Sequence, residues 1–166
     1  MQMINRYFAP FALFLIISAV YCSHPDPFDL KLSLGILVAA ALVGWWLSAN
    51  YYRLMRFGKA TRSLLVWLDF LWAVPLFYLL YPYWAPMWLL FTMPPVTAAL
   101  SLGRGQTLLV AAACSGTMLA IFYSHGAFQA LVSGGMAVVQ AAFIIALALF
   151  VHGLAQTALR LRDMNV

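Results

Sequence analysis

Six apolar runs of roughly 16–23 residues follow one another along the 166-residue chain, and only the third holds an acid in its interior. A helix of about 20 residues crosses a hydrocarbon layer about 30 Å thick, so each run is of spanning length. Within hydrocarbon every backbone N–H and C=O must find its partner inside the protein, which leaves helices or a closed barrel. Barrel strands alternate apolar and polar residues over about ten positions, and no such alternation is present. The pattern predicts an all-α fold: a polytopic transmembrane bundle of about six helices, with spans near 7–22, 31–50, 63–81, 86–102, 106–123 and 130–152. Residues 153–166 keep helical character as an extension of the last span. The connections between spans are too short to house a further domain, so 1–166 reads as a single transmembrane domain.

Composition excludes a water-soluble domain. Hydrophobic residues make up 66% of the chain and charged residues 8%; Glu is absent, and the acids are Asp26, Asp29, Asp69 and Asp163. The net charge of +5 does not point to nucleic acid, because the basic residues sit in short loops between apolar runs and no nucleic-acid-binding motif accompanies them. They read as topology signals. With the N-terminus inside, Arg6, Arg53, Arg56, Lys59, Arg62, Arg104, Arg160 and Arg162 all fall on the cytoplasmic side, leaving only Lys31 outside. Both termini are therefore expected in the cytoplasm. The first run has no small-x-small cleavage site, and Tyr21 before Cys22 does not suit a lipoprotein site, so it is expected to be retained as a span. Cys22 and Cys114 fall at different depths, which disfavours a disulfide.

Aromatic residues gather where span ends meet the interface: Trp45, Trp46, Tyr51 and Tyr52 on the inner side, and Tyr81, Tyr83, Trp84 and Trp88 on the outer. Anchoring is the simpler reading; the outer group has the alternative of lining a pocket for an apolar ligand.

Few residues are available for chemistry. Asp69, in Val66-Trp67-Leu68-Asp69-Phe70, is a carboxylate inside a span and so a functional candidate. It lies seven residues past Arg62, about 10 Å along a helix. An ion pair with Arg104 or Arg62 that pins the third span competes there with a proton relay. Pro75, and Pro94 with Pro95, remove helix hydrogen bonds and predict kinks or hinges. No second acid or Asn stands near them to complete an ion site. His24, His125 and Asp26 form a conjectural outer cluster, while Gln140 and His152 lie twelve residues apart on the sixth span. No histidine pair has metal-ligand spacing, and no cofactor-binding pattern is present. Small residues such as Ala111, Ser115, Gly116, Gly134, Gly135 and Ala137 permit close helix contact. A catalytic triad, paired glutamates, a phosphate-binding loop and a dinucleotide fingerprint are all missing, so an enzyme is not expected.

Leu147, Leu154 and Leu161 recur every seven residues from the sixth span into the extension, spacing that suits a parallel coiled coil and equally an amphipathic helix end.

The stretch from Leu68 to Tyr123 resembles a known family. Asp69 early in a Leu-rich third span, the corner with Pro86, a fourth span ending Ala98-Ala99-Leu100-Ser101-Leu102-Gly103-Arg104-Gly105, and an Ala-rich fifth span closing at Phe122-Tyr123 resemble the six-helix membrane sensor module of bacterial sensor histidine kinases of the type IV pilus kind, and of related diguanylate cyclases. The outer corner departs from that family, which often has Gly-Gly and Ser-Pro where this chain has Tyr81-Pro82-Tyr83-Trp84-Ala85-Pro86.

The resemblance implies a multi-pass protein of the bacterial inner membrane, surrounded by lipid, homo-oligomeric or paired with a membrane or kinase partner, with its sixth helix running into a dimeric signalling helix. The sequence contains no phosphoacceptor-histidine helix, ATP-binding domain or cyclase domain. It reads either as the membrane portion of a longer protein or as a free-standing homologue acting through a partner. The competing expectations are a structural or assembly subunit of a larger membrane complex and a small transporter subunit.

Overall fold

A computed structural model of the chain describes residues 8–23, 26–50, 59–124 and 133–164, and among these every regular element is helical. In chain order they are α1 (Phe8–Ser23), α2 (Pro27–Ala49), α3 (Lys59–Leu80), a 3₁₀ helix (Ala85–Thr92), α4 (Met93–Ser101), α5 (Arg104–Ser124) and α6 (Gly134–Met164). His24 and His125 of the conjectural His24–His125–Asp26 cluster, and most of the basic loop from Arg53 to Arg62, lie outside the described residues.

Four helices are long and apolar enough to cross a membrane: Pro27–Leu47, Thr61–Leu80, Arg104–Ser124 and Gly134–Ala158, with a shorter apolar stretch at Pro10–Ala19. Their outward faces carry large apolar side chains, among them Phe14, Ile17, Leu42, Leu71, Leu109, Val139 and Phe150. Apolar surface of this extent suits lipid and not water. The chain is a membrane protein.

Helix starts follow local chemistry. Asp26 precedes Pro27, whose missing N–H costs nothing at a first helical position, and Asp29 places a negative charge in the first turn. The backbone N–H of Leu30 bonds the Asp26 carbonyl at 3.0 Å. Helix α2 therefore begins four residues before the expected start of the second span at Lys31.

The fourth expected span is not one α-helix. It divides at Thr92 into eight residues of 3₁₀ helix and nine of α4. The prolines give the reason. Pro94 and Pro95 cannot donate to the carbonyls of Leu90 and Phe91, and their rings crowd those carbonyls in an α register. The Leu90 carbonyl takes the Met93 N–H instead, a bond to the third residue back. Hydroxyls serve neighbouring carbonyls along the segment: Thr92 Oγ1 donates to Leu89 at 2.7 Å, Thr97 Oγ1 to Pro94 at 2.8 Å and Ser101 Oγ to Thr97 at 2.6 Å. Because a 3₁₀ helix rises about 2.0 Å per residue against 1.5 Å, this segment reaches about 30 Å despite its shortness.

The segment occupies the middle of the bundle, touching α1, α3, α5 and α6. Met87, Leu90, Phe91, Pro94, Pro95, Ala98 and Ala99 are buried along it. Aromatic rings continue this core: Phe77 of α3 meets Phe91 of the segment at 5.1 Å and Tyr81 at 4.7 Å, and Tyr81 stands edge-on to Phe122 of α5 at 6.2 Å. The most extensive helix pairing is α5 with α6.

Helix α6 runs unbroken through Gly153 to Met164, 31 residues in all, or about 46 Å. That exceeds the hydrocarbon thickness by about 16 Å.

Candidate functional site

The buried positions of α3 are Thr61, Val66, Asp69, Ala73, Leu76, Phe77 and Leu80, spaced by three, four or five residues apart from the adjacent pair Leu76 and Phe77. That spacing makes one stripe facing the bundle. Asp69 belongs to the stripe and is only 5% exposed. It stands eight residues in from Thr61, where the apolar part of the helix begins, so about 12 Å deep. A carboxyl at this depth is held away from lipid by the packing of its own helix. Arg62, half-buried, lies two turns before it on the same face of α3, and Arg104, exposed, is the first residue of α5. Trp72, one turn beyond Asp69, has its Nε1 buried with no hydrogen-bond partner, and the hydroxyl of Tyr81, the residue that follows α3, is likewise buried without one.

Pro94 and Pro95 are buried in the first turn of α4 and define the junction between the 3₁₀ and α segments. Pro75 sits within α3, which continues as one helix on both sides of it.

Two buried hydrogen bonds fix α6. In the middle of the bundle Ser115 Oγ donates to the Ala141 carbonyl at 2.9 Å. Nearer the exit, His152 Nδ1 lies 3.1 Å from the Ala99 carbonyl. A carbonyl only accepts, so this contact selects the tautomer with its proton on Nδ1. Ala99 is among the last four residues of α4, whose carbonyls have no donor within the helix. The Leu102 N–H serves Ala98 at 2.8 Å. His152 thus caps α4 from a different helix. Beyond it, Leu154 and Leu161 are 55% and 53% exposed, while Leu147 is half-buried.

At the corner after α3, the Tyr83 hydroxyl lies 2.8 Å from Asp29 Oδ2 and 3.1 Å from Asp26 Oδ2. One phenol has one proton to donate, and the nearer Asp29 is its better acceptor. The bond to Asp29, followed by partial desolvation and the Asp26 carboxylate, pushes the Tyr83 hydroxyl up to about 12. This contact ties the corner to the first turn of α2.

The sequence placed Tyr83 in an interfacial belt, with the lining of an apolar pocket as the alternative, and left His152 without a role. The Asp-Pro-x-Asp start of α2 was a readable cap; its meeting with a tyrosine 54 residues away was not. Among the described residues no group of three or more His, Cys, Asp or Glu is placed to hold a metal ion. Cys114 is buried and Cys22 exposed, both as free thiols. No protein-family model, curated protein or solved structure matches the chain.

Proposed function

We propose that this chain is a sensory and interaction module of the inner membrane, crossing it six times with both termini in the cytoplasm and relaying a state of the bundle through α6 to a kinase-type output outside this sequence. The observation that carries the reading is the length and surface of α6. It is about 16 Å longer than a crossing needs. Past His152 it presents Leu154 and Leu161 outward, seven residues apart. Leu154 lies in about the last turn of the apolar stretch Gly134–Ala158 and Leu161 past it, so the helix carries exposed leucines through the place where it leaves the apolar layer; a second copy of the same helix covers them with matching spacing. The segregation of basic residues supports the orientation, with Arg104 and Arg160 on the side where α6 emerges. The crossing assigned to the 3₁₀ helix and α4 draws on their combined reach of about 30 Å.

Cross-linking tests the reading. In membranes or nanodiscs, Leu154→Cys and Leu161→Cys are expected to form protomer-to-protomer disulfides, and Gln156→Cys is not. A chain that stays monomeric, with no cross-link at either leucine, would overturn the relay and favour an assembly subunit. The buried carboxyl of Asp69 favours a second reading, a small transporter subunit with an ion or proton path along α3. Proton-dependent uptake into proteoliposomes that Asp69→Asn abolishes would establish it.

A further inference from the structure

A run of eight 3₁₀ residues is long for that geometry, whose hydrogen bonds are poorer than those of an α-helix and which seldom persists beyond three or four residues. Here it lies in the centre of the bundle, bounded by Pro86 near its start and by Pro94 and Pro95 just beyond its end. Conversion to α geometry shortens a segment by about 0.5 Å per residue and turns it back by about 20° per residue. Pro94 and Pro95 hold the final turn out of α geometry, but the turn Pro86 to Trp88 is free of that block, because its carbonyls can take the N–H groups of Leu90, Phe91 and Thr92. Converting it alone would draw the end of α4 about 1.5 Å toward the outer corner and swing it by about 60°. The Ala99 carbonyl that His152 grips lies at that moving end. The other end is fixed: the N–H groups of Tyr83 and Trp84 both bond the Leu80 carbonyl at 3.1 Å, and Tyr83 holds the start of α2.

We infer that the segment Ala85–Ser101 is a length- and twist-changing strut, and that the His152–Ala99 hydrogen bond transmits its change to the exit of α6. His152 is a positioning residue in this device. Ser115 holding Ala141 gives α6 a pivot deeper in the bundle, so a pull at His152 tilts the exit instead of translating the whole helix. The inference rests on the reading of α6 as the output helix. The device itself needs neither a dimer nor a kinase, so its test is independent of the cross-linking result.

The test uses the full chain in nanodiscs with Cys22→Ser and Cys114→Ala, and spin labels in two pairs, 82 with 103 and 82 with 153. Pro82, Gly103 and Gly153 are exposed, and the two glycines have open space where a side chain would begin. Double electron–electron resonance then reads the strut with the first pair and the α6 exit with the second. Pro94→Ala with Pro95→Ala restores two donors and is expected to shorten both distances by about 2–4 Å. Adding His152→Leu should keep the first shortening and abolish the second, whereas His152→Gln, which retains a donor, should recover most of it. An unchanged 82–103 distance in the double proline variant would overturn the strut. A 82–153 shortening that persists with His152→Leu would overturn the linkage. Where the proline variant does not fold, His152→Leu alone decides: the 82–153 distribution broadens while 82–103 holds, and an unaltered 82–153 distribution contradicts the inference.

Discussion

Individual side chains do most of the fastening between helices, because in lipid there is little hydrophobic drive to bring one helix onto another. Tyr83 is the contact at the corner after α3, and Tyr83→Phe removes its bond to Asp29 while keeping the ring. The expected loss is about 0.5–1.5 kcal/mol of stability, measured by reversible denaturation in detergent. The pH dependence has a definite sign. The native phenol titrates near 12 against an ordinary value of 10, so its contribution is complete below pH 10 and declines as pH rises through 12. Thermal stability of the wild type, but not of Tyr83→Phe, should carry that component over pH 10–12; identical profiles would remove the contact from the explanation. Deeper in the bundle, Asp69→Asn keeps the shape of the side chain and removes its acidic group. It is expected to cost about 1–2 kcal/mol, the magnitude of interhelical polar contacts in membranes. Unchanged stability would mean that the carboxylate is not a structural pin.

The helices differ in how readily they could be read. Long apolar runs with almost no charge have few alternatives in lipid, so the all-helical character and the regions of α2, α3, α5 and α6 were legible from their residues. The burial of Asp69 was also accessible, since Val66, Ala73, Phe77 and Leu80 share its face by helical periodicity. The 3₁₀ helix was not legible. Pro94 and Pro95 announced a disruption, but whether the freed carbonyls meet a shifted N–H, a threonine hydroxyl or a bend depends on packing around the segment. The His152–Ala99 and Tyr83–Asp29 contacts join residues 53 and 54 positions apart, beyond any local pattern. Helix α6 offers a direct test of rigidity at its exit. Gly153 is a weak helix residue with open space around its Cβ position. Gly153→Ala should therefore stabilise the helix by about 0.5–1 kcal/mol and slow amide exchange over residues 153–160. Faster exchange would mean that the glycine serves a conformation other than the continuous helix.

Taken whole, the molecule is a bundle whose most buried segment is also its least regular. Around that core, α5 and α6 form the closest pair, α2 and α3 pack beside it, and the apolar outer faces of all of them are left for lipid. A sensor, an assembly subunit and a transporter each require the same arrangement across the membrane, and the relay through α6 additionally requires its exit to lie on the cytoplasmic side. The decisive segment for the proposed arrangement is the 3₁₀ helix with α4. Impermeant thiol labelling of cells carrying Pro82→Cys, Gly103→Cys or Gln156→Cys, with Cys22 and Cys114 replaced, measures this directly. Position 82 should react from outside in intact cells, and positions 103 and 156 only after the membrane is opened. Reaction of 82 and 103 from the same side would contradict the six-span arrangement, and labelling of 156 in intact cells would contradict a cytoplasmic exit for α6.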